Sequence, residues 1–354
     1  MSIREFSRRS SSLLKRVNVQ HVNTRTSHVS ARQRPASVQI VEVGPRDGLQ
    51  NERLLVPTEA KLGLIHRLED AGLRRIEAGS FVSPEWVPQM ADTPDIFKHL
   101  SSSSGSSRGN RTVFSALTPN LQGFDAAYSL GVDEVAIFGS ASESFSQTNI
   151  NCSVEVSMRR FKGVCDAAKA AGIPVRGYVS CVLGCPYEGD VAPERVVQVA
   201  KQLLEMGCFE ISLGDTIGVG TPGSTQALLS AITKEIPPEK LAVHFHDTFG
   251  MAVANILVAL DHGINVVDSS VSGLGGCPYA KGASGNVATE DVVYLCEGLG
   301  ISTGVDMPKL LEAQTFIDSV LGRKTKSRVA QALGEASAAQ AQALVMEEEE
   351  RRRA

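Results

Sequence analysis

The chain has 354 residues, 42% hydrophobic and 21% charged, with a formal net charge of −4; this excludes a disordered protein and gives room for one large domain or two ordinary ones. No run of about 18 apolar residues occurs, so no membrane span is expected. The seven cysteines (152, 165, 181, 185, 208, 277, 296) form no small-scaffold framework, which suits a reducing compartment, and Cys181-x-x-x-Cys185 lacks the second pair that a structural zinc needs.

Residues 1–36 carry Arg4, Arg8, Arg9, Lys15, Arg16, Arg25, Arg32 and Arg34 against one acid, Glu5, so the remainder is more acidic than the whole. An acidic body excludes a nucleic-acid partner, which would draw on positive charge in the folded domain. The basic, Ser-rich leader interleaves Ile3, Phe6, Leu13, Leu14 and Val17 with its charges. That pattern predicts a disordered mitochondrial presequence over 1–36.

From Val38 onward short apolar runs alternate with longer amphipathic segments. Strands are expected near Val38 to Val43, Arg75 to Ala78, Thr112 to Ser115, Glu134 to Phe138, Val175 to Val179, Phe209 to Leu213, Leu241 to Phe245 and Val266 to Asp268. Helical patterns lie between them, among them Glu59 to Ala71, Met158 to Ala171, Pro193 to Met206 and Met251 to Asp261, several followed by a glycine that ends the helix. Eight βα units predict an α/β fold, a single-domain (β/α)8 TIM barrel over 37–322. An open doubly wound sheet also alternates, but no G-x-G-x-x-G turn follows the first strand. Ser101 to Ser107 is expected as a flexible insertion on the face away from the active site, and 323–354 as an accessory helical, charged tail.

Function in such a barrel gathers at the C-terminal strand ends. The seventh strand ends in Val243-His244-Phe245-His246-Asp247. Strand alternation points both histidines to one side, with Cα atoms about 6.5 to 7 Å apart, so two imidazoles can share one ion. Two hydrogen-bonded core histidines would look the same. The other strand exits bring Arg46 and Asp47 in Gly44-Pro45-Arg46-Asp47-Gly48, then Glu77, Asp215, and, after the eighth strand, Cys277 and Asn286. Singly, Asp47 reads as a turn residue, Glu77 as an ion-pair partner of Arg46, and Asn286 as the N-cap of a helix beginning at Val287. Jointly, they predict that Asp47, His244, His246 and Asn286 bind a divalent cation, Mg²⁺ or Mn²⁺, that acts as a Lewis acid on a substrate hydroxyl together with a carboxylate or carbonyl. Arg46, steadied by Glu77, is placed for a developing oxyanion, and Cys277, in a glycine-rich loop, for acid/base work.

The run Glu42-Val43-Gly44-Pro45-Arg46-Asp47-Gly48-Leu49-Gln50-Asn51-Glu52 resembles the first-strand signature of the 3-hydroxy-3-methylglutaryl-CoA lyases. Ser80 to Met90 is similar too, as is the stretch from Ser270 through Leu274-Gly275-Gly276-Cys277-Pro278-Tyr279 to Asp291. The resemblance implies a metal-dependent barrel lyase that splits 3-hydroxy-3-methylglutaryl-CoA into acetyl-CoA and acetoacetate, in leucine degradation and ketone-body formation. It also implies a homodimer in the mitochondrial matrix. On this likeness Asp47, His244, His246 and Asn286 fall on metal ligands, Arg46 on an enolate-stabilising arginine, Cys277 on a catalytic cysteine, and Glu77 and Asp215 on supporting acids. Departures are the serine insertion and the Arg353-Ala354 end, which lacks a peroxisomal Lys-Leu terminus and favours mitochondria alone. A condensing enzyme of the isopropylmalate or homocitrate synthase kind and a non-catalytic metal-binding scaffold are the competing expectations.

Overall fold

Eight strands pair in sequence order and close on themselves: β1 (Gln39–Glu42), β2 (Arg75–Ser80), β3 (Val113–Leu117), β4 (Glu134–Ser140), β5 (Val175–Ser180), β6 (Glu210–Asp215), β7 (Leu241–Phe245) and β8 (Val266–Ser269). All neighbours are parallel, and closure pairs Gln39 with Val266 through Glu42 with Ser269. This computed structural model describes residues 34–102, 111–276 and 285–334. The expectations for the presequence up to residue 33, for 103–107, for Cys277 and for 335–354 lie outside the described residues.

Helices α1 (Thr58–Asp70), α2 (Thr93–Ser102), α3 (Leu121–Ser129), α4 (Glu143–Ile150), α5 (Val154–Ala171), α6 (Pro193–Glu205), α7 (Pro222–Ile232), α8 (Ala252–Asp261), α9 (Thr289–Gly298) and α10 (Met307–Leu321) surround the sheet. Their apolar stripes, such as Val196, Val199, Ala200 and Leu203 on α6, are buried against it. The main core therefore lies between the strands and the helices. Helix α5 starts four residues before the expected Met158, because Ser153 caps it by accepting a hydrogen bond from the Val156 N–H at 3.2 Å. It ends at Gly172, whose φ of +71° suits glycine and lets Ile173 N–H reach back to the Ala168 carbonyl at 2.9 Å.

Several strands run past the end that the sequence pattern marks, while β1 stops one residue short, at Glu42, and β7 ends at Phe245 as expected. β6 continues through Gly214 to Asp215. Polar residues persist because the barrel interior is itself charged. Arg75 bridges Glu134 and Glu210, and Arg176 joins Glu210 at 2.6 Å and clasps Asp268 through both terminal nitrogens at 2.7 and 3.0 Å. These five side chains are buried. Buried ions persist only when paired and hydrogen-bonded, and here every charge has an opposite partner. Among the described residues no helix is long and apolar enough to cross a membrane.

Candidate metal centre at the barrel mouth

At the exit of β1 the chain makes one π-helical turn, Gly44–Gly48, closed by Gly48 N–H donating to the Val43 carbonyl at 3.0 Å. The turn is anchored from below by buried Glu42, which accepts from Gly44 N–H at 2.8 Å, Val271 N–H at 2.9 Å and the Thr289 hydroxyl at 2.6 Å. It aims Arg46 and Asp47 over the mouth. Arg46 gives Nε and Nη2 to one oxygen of Glu77, at 2.7 and 2.6 Å, and Nη1 to Asp47 Oδ1 at 2.7 Å. Tyr178 donates its hydroxyl to the same Glu77 oxygen at 3.2 Å. Glu77 and Arg46 are therefore partners, as expected, although Glu77 lies inside β2 and not at its end.

His244 and His246 point to one side of β7, as strand alternation requires, with Nε2 atoms 3.4 Å apart. Asp47 Oδ2 lies 3.8 Å from His244 Nε2, and one ligand atom from each of Asp47, His244 and His246 falls within 4.8 Å of the others. Ligands about 2.1 Å from one ion and at right angles are about 3 Å apart, so the donor set suits a divalent cation. Two imidazole Nε2 atoms facing one another are poorly matched without a shared partner, since at most one good hydrogen bond can join them.

Burial alone would lift the Asp47 carboxyl, but the Arg46, His244 and His246 charges and the Asn286 amide overcome it and hold the group down at about 2. His246 is pushed down to about 4 by burial and by the charge of its neighbour His244. His244 goes the other way. Burial lowers it, yet the hydrogen bond to Asp268 and the charges of Asp47 and Asp268 outweigh burial and raise it above the ordinary imidazole value. Asp47 is thus anionic and His246 neutral at physiological pH, the states that a metal ligand requires.

Asp268 is the residue that sequence reasoning missed. Its Oδ2 sits 3.2 Å from His244 Nδ1 and accepts from the Ser212 hydroxyl at 2.8 Å, while Arg176 holds both of its oxygens. A carboxylate behind a histidine fixes which ring nitrogen faces the ion. The only sequence signal was an acid ending an otherwise apolar strand. Tyr178 was likewise missed; its ring meets His244 edge-on at 6.0 Å.

Asn286 is not a helix cap, because α9 begins only at Thr289 with Ala288 before it. Residues 285–288 instead bridge the ends of β7 and β8, through pairings of His246 with Asn286 and Ser270 with Ala288. That places the Asn286 amide beside the cluster, with Nδ2 donating to Asp47 Oδ2 at 2.7 Å and to the Leu274 carbonyl at 3.1 Å. Gly275, at φ +116°, leaves the room: a Cβ there would lie 2.8 Å from Asn286 Nδ2.

Asp215 stands apart from the three-residue cluster. It accepts backbone N–H groups of its own loop, from Val219 at 3.2 Å and Gly220 at 2.8 Å. Burial raises its carboxyl to about 6 against those hydrogen bonds. The expected accessory tail also differs in its first residues: Arg323 pairs with Glu52 at 2.7 Å, and Ser327 donates to Asp291 at 2.7 Å. These bonds tie 323–334 to the segment after β1, through Glu52, and to α9, through Asp291.

The HMGL-like family model matches residues 37–317. The chain belongs to the HMGL-like family. Within it, the chain is 61% identical over 298 residues to the rat protein named hydroxymethylglutaryl-CoA lyase, mitochondrial, covering 84% of this chain and 90% of that one. The crystal structure of hydroxymethylglutaryl-CoA lyase from Pseudomonas aeruginosa superposes with a TM-score of 0.81 at 55% identity, covering 86% of this chain and 99% of that chain. An HMG-CoA lyase from Acinetobacter baumannii, in complex with coenzyme A and 3-methylmalate, aligns with a TM-score of 0.78 at 35% identity over 84% of this chain and 95% of its own.

Proposed function

We propose that this chain is a hydroxymethylglutaryl-CoA lyase that cleaves 3-hydroxy-3-methylglutaryl-CoA to acetyl-CoA and acetoacetate. The observation that carries the reading is the convergence of Asp47, His244 and His246 within 4.8 Å, beside an arginine held by a buried glutamate. The naming of relatives near 60% identity supports it. A condensing role has no comparable support.

Asp47, His244, His246 and Asn286 are the proposed ligands of a divalent cation, Mg²⁺ or Mn²⁺. The bound cation supplies Lewis acidity to the substrate's hydroxyl and carbonyl oxygens. The chain's own groups do the rest. Asp47 or His244 takes the proton of the tertiary hydroxyl; the oxygen's electron pair then forms the ketone of acetoacetate as the carbon–carbon bond breaks. The released pair becomes the thioester enolate. Arg46, which burial disfavours as a cation but which Glu77 and Asp47 hold charged, faces that negative charge. Its two bonds to Glu77 fix the guanidinium plane before reaction, so no reorganisation is needed when charge develops. Cys277, outside the described residues, returns a proton to the enolate carbon directly or through a water.

Further proposals are that 1–36 is a mitochondrial presequence removed on import, 37–322 the catalytic domain, the matrix the site of action, and a homodimer the working form. The names of relatives support the address. The N-terminal sequence of protein purified from the matrix tests the cleavage point. The function itself is tested by incubating the full chain with 3-hydroxy-3-methylglutaryl-CoA and Mg²⁺ or Mn²⁺. Acetoacetate should form and should cease with chelator; no acetoacetate with either metal would refute the reading.

A further inference from the structure

Two residues before Leu274, whose carbonyl holds the Asn286 amide, the chain adopts an unusual conformation. Ser272 has φ +61° and ψ +7°, a left-handed state that a non-glycine residue occupies only when its surroundings enforce it. Here bonds from three directions enforce it. The Ser272 N–H donates to both oxygens of buried Glu290, at 2.9 and 3.1 Å. Its hydroxyl donates to Asp318 Oδ1 at 2.6 Å, and its carbonyl accepts the Lys326 N–H at 3.1 Å.

Asp318 belongs to α10, and Gln314 one turn earlier donates to its other oxygen at 2.5 Å. Lys326 follows the helix and returns to the same segment, with Nζ donating to the Gly275 carbonyl at 2.7 Å. The stretch 272–275 is therefore gripped at both ends by the C-terminal part of the chain. Between the grips lies the Leu274 carbonyl, which takes Asn286 Nδ2 and so decides which end of that amide is committed to the protein. None of these groups belongs to the ligand cluster.

We propose that Ser272, Asp318 and Lys326 form a latch through which the C-terminal segment positions Asn286 for the cation. The three are positioning residues, acting through Leu274 and Gly275. The inference rests on the metal-centre reading above. An amide whose Nδ2 is held by a fixed carbonyl presents its oxygen in one orientation, whereas a released 272–275 segment lets the amide turn. Outer partners of metal ligands shift affinity by about 10- to 100-fold, and this latch acts one bond further out, so a loss of roughly 3- to 10-fold is expected.

The test is Mn²⁺ binding to the full chain, read from the loss of the free-ion paramagnetic resonance signal, alongside the thermal midpoint without metal. Ser272→Gly tolerates the left-handed backbone and removes the hydroxymethyl side chain, and with it the bond to Asp318. It should weaken Mn²⁺ binding 3- to 10-fold with the midpoint unchanged or raised, as should Asp318→Ala in binding. Asp318→Asn, which retains an acceptor, should return affinity to within about twofold of wild type. At saturating Mn²⁺ the variants should recover most of kcat, because the chemistry-bearing groups are untouched. Wild-type affinity in both Ser272→Gly and Asp318→Ala would overturn the latch, whatever their midpoints. Wild-type protein that takes up no Mn²⁺, or takes it up equally after Asp47→Ala, would overturn the metal-centre reading and the latch with it.

Discussion

The barrel holds two sets of buried charges one above the other, and they are built to opposite ends. In the interior, Glu134, Arg75, Glu210, Arg176 and Asp268 form a ladder of alternating charges in which each meets an opposite one. At the mouth, His244 and His246 face each other with Nε2 atoms 3.4 Å apart, and Asp47 stands 3.8 Å from the first. In the ladder each charge meets an opposite charge, whereas at the mouth two imidazole nitrogens face one another beside a single carboxylate. Asp268 joins the two sets, taking Arg176 on one side and His244 on the other. A fully paired set of charges rigidifies a core, while two imidazoles and a carboxylate converging at one point are the donor types that suit a cation.

The sharpest break of this contrast is at the mouth. Chelation, or Asp47→Ala, should reduce turnover of 3-hydroxy-3-methylglutaryl-CoA by on the order of 10³-fold while the folded state persists, measured by acetoacetate formation and circular dichroism. The mirror-image change is Arg176→Met. Leaving Asp268 and Glu210 without this cation should cost about 3 to 5 kcal/mol in urea unfolding, the scale for breaking a buried pair. A stability loss below about 1 kcal/mol would mean that the ladder is ornamental.

Arg46→Gln tests the boundary between the two sets. It should lower kcat at least about 10²-fold, as removal of an oxyanion-type donor does, with Mn²⁺ affinity within about threefold of wild type. Near-normal turnover would remove Arg46 from the mechanism. Gly275→Ala introduces a Cβ 2.8 Å from Asn286 Nδ2 at a backbone φ of +116°. Mn²⁺ affinity should drop about tenfold in a titration.

The smallest effect is a pH dependence. Burial, aided by the charge of Glu42, raises the Glu290 carboxyl to about 8 against the hydrogen bonds from Ser272 and its own backbone. A carboxyl raised on folding contributes stability that is fully present below its unfolded value of about 4.3 and is lost as pH rises through 8. In chelator, the wild-type thermal midpoint should fall between pH 6 and 9 by a few degrees more than that of Glu290→Gln, which cannot ionise. Equal slopes would show that Glu290 does not titrate there.

The mouth was more legible in the sequence than the ladder, for a physical reason. His244 and His246 lie two apart at a strand end, and Arg46 and Asp47 follow β1 directly, so local periodicity already assigns each a face and an end. Arg75, Glu134, Arg176 and Glu210 read as charges at strand starts, where solvent is the default neighbour; only closure of the sheet turns them inward. Asn286 was placed at the right end of the barrel but given the wrong local structure, since its backbone pairs with β7 instead of opening α9. Asp215 was expected among the supporting acids, and its bonds go to its own loop.

Local pattern by itself determined the eight βα units, the parallel barrel and the chemical kind of the residues at its mouth, because strand and helix periods are properties of short stretches. What only the tertiary structure decided is which charges are satisfied: Asp268 behind His244, and Ser272 gripped by Asp318 and Lys326. Those pairings join segments dozens of residues apart. They exist because ring closure and the return of the chain after α10 bring donors and acceptors together in buried positions.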